Sequence, residues 1–264
     1  MRQLQIIVCI KQVPDPEGPA SAFEVDSEAK KVVPVGIPPV INPFDENALE
    51  VALRLKEQHG AKVVAISLGE RLSKPTLRKA FAVGADDLIL LEDPNFKDLD
   101  SYSTAYILSK MITKVESYDV ILTGRQAGDW DFGVTGLLIG EMLQIPSINL
   151  ARKVNIVNNN VLVEKLKPYG YDVVSAPMPV LVTVSSEAGE LRYTSVRSLK
   201  SVSGRPLKEY NAQDLDSGSE KLGTRRISKL FPYHIQRECR FIEGESLAEK
   251  GENLVIQLRR DKVV

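Results

Sequence analysis

Four short apolar runs, residues 4–10, 62–68, 88–91 and 120–122, alternate with stretches whose apolar residues recur at helical spacing. A strand that stays apolar on consecutive residues has both faces covered, so these runs belong inside a parallel sheet. Parallel neighbours need a crossover, and the helical stretches between the runs supply it. Asn42, Pro43 and Asp45 read as a cap, a first helical residue and a first-turn carboxylate; Ala48, Val51, Ala52 and Leu55 follow, and Gly60 stops the helix. A second helix is expected over residues 74–83 before Gly84, and a third from a cap at Asp100 or Ser101. The expected fold is α/β: a doubly wound, mostly parallel sheet.

Other segments depart from this rhythm. Residues 13–39 hold six prolines, with alternating pieces at 23–25 and 31–33 that fit a small hairpin outside the main sheet. After Pro146, strands are expected at 153–157 and 161–166 around an Asn158-Asn159-Asn160 turn, and at 180–184, extending the sheet antiparallel at one edge. Residues 201–226 are polar and read as an extended arm, followed by a helix over 247–258 with Leu254, Val255 and Leu258 as its stripe. The expected division is an α/β domain over 1–200 and a C-terminal arm and helix over 201–264.

Composition excludes several classes of function. With 264 residues and 43% hydrophobic content, the chain can bury a core without disulfides. A net charge of −1, with both signs interspersed, offers no field for nucleic acid or an anionic membrane. Cys9 and Cys239 lack C-x-x-C spacing, and His59 and His234 are the sole histidines, so no metal site is expected. The N-terminus has no basic-then-apolar signal, and no apolar run reaches the ~18 residues of a membrane span, which together give a cytoplasmic expectation.

Chemistry concentrates in residues 123–136, TGRQAGDWDFGVTG, a glycine-rich loop between an apolar run and a helical pattern. The first N–H groups of a helix lack intrahelical partners, and glycines let an anion approach them, so the loop is a candidate nucleotide-phosphate cradle. A tight turn with a cap explains the same composition. The loop is neither a P-loop nor G-x-G-x-x-G.

Several blocks occur in one order: VCIKQVPD at 8–15, INPFD at 41–45, ALEVALRLK at 48–56, AVGAD at 82–86, GRQAGDWD at 124–131 and LRYTSVR at 191–197. On these blocks the chain resembles the beta subunit of electron-transfer flavoproteins, including nitrogen-fixation-linked and anaerobic electron-bifurcating relatives. The resemblance implies an adenine-nucleotide alpha-hydrolase-like α/β domain that pairs with an alpha subunit and docks dehydrogenases. It implies FAD held mainly by the alpha subunit, and AMP or a second FAD in this chain. Electrons pass between dehydrogenases and an acceptor with no catalytic side chain of its own; bifurcating oxidoreductase activity with NADH would belong to the heterodimer. A single-chain adenine-nucleotide sensor of the universal stress protein type shares the architecture. An adenylating enzyme of related fold would need a Ser-Gly-Gly-x-Asp-Ser loop, which is missing.

The family motif marks Cys9, Asn42, Pro43, Phe44, Asp45, Leu68, Gly124, Arg125 and Gln126 as cofactor-binding, together with Asp129, Asp131, Val134, Thr135 and Gly136. Val134, Thr135 and Gly136 would hold phosphate at the helix start, Arg125 would supply positive charge, and Asp129 would reach the ribose hydroxyls. Asp131 has a structural alternative as the cap of a helix beginning at Phe132. Family members carry Gln at the position of Val134, followed by Thr-Gly with AMP or Val-Gly with flavin; here Val precedes Thr-Gly, which leaves the nucleotide open. Partner recognition would use Arg192, Tyr193, Val196, Arg197, Leu199 and Lys200, with Val196 as an apolar anchor ringed by basic residues.

Overall fold

The computed structural model describes residues 2–115, 117–215, 222–230 and 239–263. The chain divides into two compact units, Met1–Ser228 and Lys229–Val264. His234 lies outside the described residues.

In chain order the first half of the larger unit contains β1 (Gln5–Cys9), β2 (Gln12–Val13), β3 (Phe23–Asp26), β4 (Lys31–Pro34), β5 (Val40–Ile41) and α1 (Pro43–His59). There follow β6 (Lys62–Gly69), α2 (Lys74–Leu77), α3 (Lys79–Val83), β7 (Asp87–Glu92), α4 (Ser101–Lys114) and β8 (Val120–Gly124). The second half adds α5 (Thr135–Met142), β9 (Ser147–Val157), β10 (Asn160–Lys167), β11 (Gly170–Pro177), β12 (Val180–Val184), α6 (Val196–Ser201) and β13 (Lys208–Tyr210). The main sheet has nine strands in the order β11-β10-β9-β12-β8-β1-β6-β7-β13. Its centre, from β12 to β7, is parallel throughout.

Both faces of that centre are buried, as the continuous apolar runs require. Ile6 and Val8 of β1 pack into one core with Ala48, Leu49 and Ala52 of α1, while Ile7 and Cys9 pack into the other with Ile107 and Met111 of α4. The fold is therefore the expected doubly wound α/β type. The hairpin of β3 and β4 stands apart as its own two-stranded sheet.

Three sequence expectations need correction. Residues 180–184 do not extend an edge: β12 runs parallel between β8 and β9, so the antiparallel extension is β9, β10 and β11 alone. The helix expected over 74–83 is two short ones meeting at Arg78. The domain boundary expected at residue 200 falls instead at Ser228, because the polar segment adds β13 to the edge strand β7 and buries Ala212 and Leu215.

In the smaller unit, α7 (Leu247–Arg260) is capped by Ser246, whose side chain accepts the Glu249 N–H. None of its residues is buried, and Leu254, Val255 and Ile256 are exposed. Among the described residues no helix is long and apolar enough to cross a membrane, and no group of His, Cys, Asp and Glu could hold a metal ion.

Candidate functional site

The chain leaves β1 for β6 and β7 on one side, then returns past β1 to β8 on the other, so the β1/β8 pair is the switch point of the sheet. Such sheets hold ligands outside the carboxyl ends of the strands at this point. A cavity of about 390 Å³ opens there, lined by the ends of β1, β6 and β8, the loop after β8, and the starts of α4 and α5.

Asp45 fastens the two central strand ends to α1. Its Oδ2 accepts the Lys11 N–H at 2.7 Å and its Oδ1 accepts the Gly124 N–H at 2.9 Å. Gly124 is required by this approach: a Cβ there would lie 2.5 Å from Asp45 Oδ1 and 2.7 Å from the Phe44 carbonyl carbon. Burial pushes the Asp45 carboxyl up from 3.8 to about 7, against the two backbone donors. Burial, and then the Asp45 charge, pushes the Cys9 thiol up to about 12, so Cys9 is an uncharged pocket wall and no nucleophile.

Asn42 precedes α1 but its side chain makes no cap bond. It spans instead to the glycine-rich loop, donating to the Gln126 carbonyl at 2.8 Å and accepting the Gly128 N–H at 3.1 Å. The loop is thus tethered to the helix start opposite it.

The loop ends at α5, which begins at Thr135 rather than Phe132. Asp131 does not cap that helix. With φ +53° it turns the chain, and its carboxylate accepts from Gln126 Nε2 at 2.9 Å. Gly133, at φ +64°, turns it again before Val134. No side chain caps α5, so its first N–H groups are open to the cavity. Gly136 lets the helix start press onto the sheet, since a Cβ would meet Thr123 Oγ1 at 2.5 Å and Thr183 Cγ2 at 3.0 Å.

Charges of both signs line the cavity, Lys11, Arg71, Arg125 and Arg225 against Asp45, Glu70, Asp98 and Asp129. Arg125 lies over the Phe44 ring at 5.0 Å, and its buried Nε has no hydrogen-bond partner among the described residues. Asp129 is paired with Lys11 at 2.6 Å. That pairing removes the repulsion a bare carboxylate would exert on a bound phosphate, and it engages the group expected to reach ribose.

Eleven of the expected residues line one cavity: Cys9, Asn42, Asp45, Leu68, Gly124, Arg125, Gln126, Asp129, Val134, Thr135 and Gly136. Pro43, Phe44 and Asp131 do not line it; Pro43 opens α1, and Phe44 supports Arg125 from behind. Sequence reasoning missed Lys11, Phe96, Trp130, Phe132 and Arg225 as lining residues. Lys11 could have been found as the cation just past the first strand; Arg225 carries no local signal.

The residues expected to recognise a partner sit away from the cavity. Tyr193 is 90% and Val196 64% exposed, and Leu199, Arg197 and Lys200 are exposed beside them on or near α6. Arg192 is turned inward, paired with Glu50 at 3.0 Å and also with Glu57, so it braces this segment against α1.

A family model described as the electron transfer flavoprotein domain matches residues 31–212. An electron transfer flavoprotein subunit beta of Thermoanaerobacterium thermosaccharolyticum is 36% identical over 99% of this chain and 100% of its own length. The chain belongs to the electron transfer flavoprotein beta-subunit family. A family relative from Acetobacterium woodii, the caffeyl-CoA reductase-Etf complex subunit CarD, is 29% identical over 99% of this chain and 100% of its own length. The protein FixA of Azotobacter vinelandii is 31% identical over 93% of this chain and 90% of its own length. The ordered sequence blocks thus pointed to the right family.

Proposed function

We propose that this chain is the nucleotide-holding half of a two-subunit electron carrier, its cavity taking the adenine end of AMP or of a second FAD. The observation that carries this is the uncapped start of α5, opening into a cavity at the sheet's switch point beside an arginine whose Nε has no partner among the described residues. Backbone N–H groups and a guanidinium are the donors a phosphate needs. Gly136 and Gly124 are the close approaches that shape the cradle, and the strand-end residues Cys9 and Leu68 give the apolar wall that a purine ring needs.

The redox FAD belongs to a partner alpha subunit, as the relatives' names, a subunit beta and a member of an Etf complex, support. Flavin supplies the electron chemistry when bound, and the protein sets position and potential. This chain's residues contribute binding and orientation: Asp45 locks the ends of β1 and β8 to α1, and Asn42 fixes the loop. Val196 and Tyr193, with Arg197 and Lys200 nearby, form the surface offered to dehydrogenases with acidic rims.

Affinity purification of the tagged chain from its own cells tests this. A flavin-bearing subunit of about the same size is expected to copurify. A stable monomer or homodimer that binds ATP reversibly and recruits no flavin subunit would make it a single-chain sensor.

A further inference from the structure

Residues 188–205 form a strap from α1 to α3 that is fastened at its two ends. At the first end four side chains of α1, Asn47, Glu50, Arg54 and Glu57, recur at helical spacing and share one stripe. Asn47 donates to the Gly189 carbonyl at 2.7 Å and Arg54 to the Ala188 carbonyl at 2.9 Å. Glu50 accepts the Arg192 backbone N–H at 3.1 Å and its guanidinium at 3.0 and 3.2 Å, while the same guanidinium also donates to Glu57. At the second end Arg78 donates to the carbonyls of Val202 at 2.9 Å and Arg205 at 2.6 Å, and Arg205 lies over the Phe81 ring at 4.2 Å. Leu191 and Val202 pack against the core beside these fastenings.

The middle of the strap has no such anchorage. α6 is six residues long with no buried residue, too short to persist on helix propensity alone. Its placement therefore depends on its ends. Tyr193, Val196 and Leu199 are exposed in this stretch. An exposed apolar side chain holds a partner more tightly when the backbone beneath it is already ordered, because association then loses less freedom. The two ends differ in their chemistry: Arg78 holds carbonyls, whereas Arg192 joins two carboxylates, of which Glu50 is 5% exposed. A guanidinium fork serves both carboxylates at once, and a lysine ammonium does not. Loss of Arg192 withdraws that fork and frees the first end of the strap.

We propose that Arg192 is a positioning residue for dehydrogenase docking: clamped between Glu50 and Glu57, it fixes the strap so that Tyr193, Val196 and Leu199 meet the partner in one preset arrangement. This rests on the docking surface proposed above and adds what makes that surface rigid.

The test uses the purified heterodimer and the dehydrogenase that reduces its flavin, isolated from the same cells by that activity. Arg192→Met is expected to raise the KM for the heterodimer about tenfold while kcat stays within about twofold, and Arg192→Lys to recover part of the loss. Glu57 is exposed, and Glu57→Gln is expected to raise KM about threefold alone and to add nothing once residue 192 is Met, because both changes act through one clamp. Val196→Ser, which alters the docking surface and leaves the clamp intact, is expected to raise KM as well. Should the Met variant fail to assemble with its partner, Glu57→Gln carries the test. An unchanged KM in the Arg192 and Glu57 variants, beside a raised one in Val196→Ser, would overturn the clamp and leave the docking surface standing. A lower kcat at unchanged KM in Arg192→Met would overturn it too, since the residue would then act beyond docking. An unchanged KM in Val196→Ser would overturn the docking reading and the proposal with it.

Discussion

Thr135→Glu is expected to empty the cavity of nucleotide while leaving the fold at least as stable. Thr135 is the first residue of α5, and nothing caps that helix. A carboxylate at a helix start interacts favourably with the macrodipole by about 0.3–1 kcal/mol, so the melting temperature should hold or rise. The same carboxylate stands where a phosphate would bind. Two unit charges about 4 Å apart at an effective dielectric near 20 repel by roughly 4 kcal/mol, close to a thousandfold in affinity. Nucleotide released by denaturation is expected to fall below about a tenth of the unaltered level, with Thr135→Gln losing far less. Unchanged content in a stable Glu variant would place the phosphate elsewhere.

The second large effect is a pH dependence of stability that runs against the usual carboxylate pattern. Burial raises the folded Asp45 value from 3.8 to about 7. Below about pH 4 both folded and unfolded chains hold this proton, and the group is neutral to stability. Between about 4 and 7 the unfolded chain releases the proton while the fold retains it, so stability falls as pH rises. Above 7 the full cost is present, on the order of 4 kcal/mol. Glu50, held low by Arg192 despite burial, and Asp87, held low by Lys62 and Lys208 despite burial, act in the opposite sense and only at lower pH. Urea unfolding at pH 5 and pH 8 therefore isolates Asp45. The advantage of the unaltered chain over Asp45→Asn should shrink by roughly 2–3 kcal/mol between those pH values. A constant difference would mean that Asp45 is ionised in the fold.

What the sequence reveals follows from where each signal comes from. The central strands were legible because burial on both faces writes a continuous apolar run, as in Ile6, Ile7 and Val8. β11 was not, because Tyr171 and Val173 are exposed on an edge and the run GYDVVSAP mixes both kinds of residue. The position of β12 was hidden for another reason: order within a sheet is a property of crossovers, and local composition does not record it. Residues 208–215 look polar because an edge strand needs few anchors, and here Ala212 and Leu215 suffice.

The candidate site divides in the same way. The glycine-rich loop and the helix start are local features, so Gly124 and Thr135 stood out directly, whereas Cys9 was marked only by the family motif. Asp131 has the right chemistry for a cap, but its positive φ turns the chain away and the helix waits for Thr135. Asn42 likewise looks like a cap, and its amide is used across the cleft instead. Arg225 meets Trp130 from far along the chain, a contact that only the folded backbone creates.

On the proposed function, the uncapped start of α5 grips an anionic adenine nucleotide. Purified with its flavin-bearing partner and then denatured, the complex should release one adenine nucleotide for each copy of this chain, beyond the FAD of the alpha subunit. Release of that FAD alone, with nothing from this chain, would mean that the start of α5 holds no nucleotide.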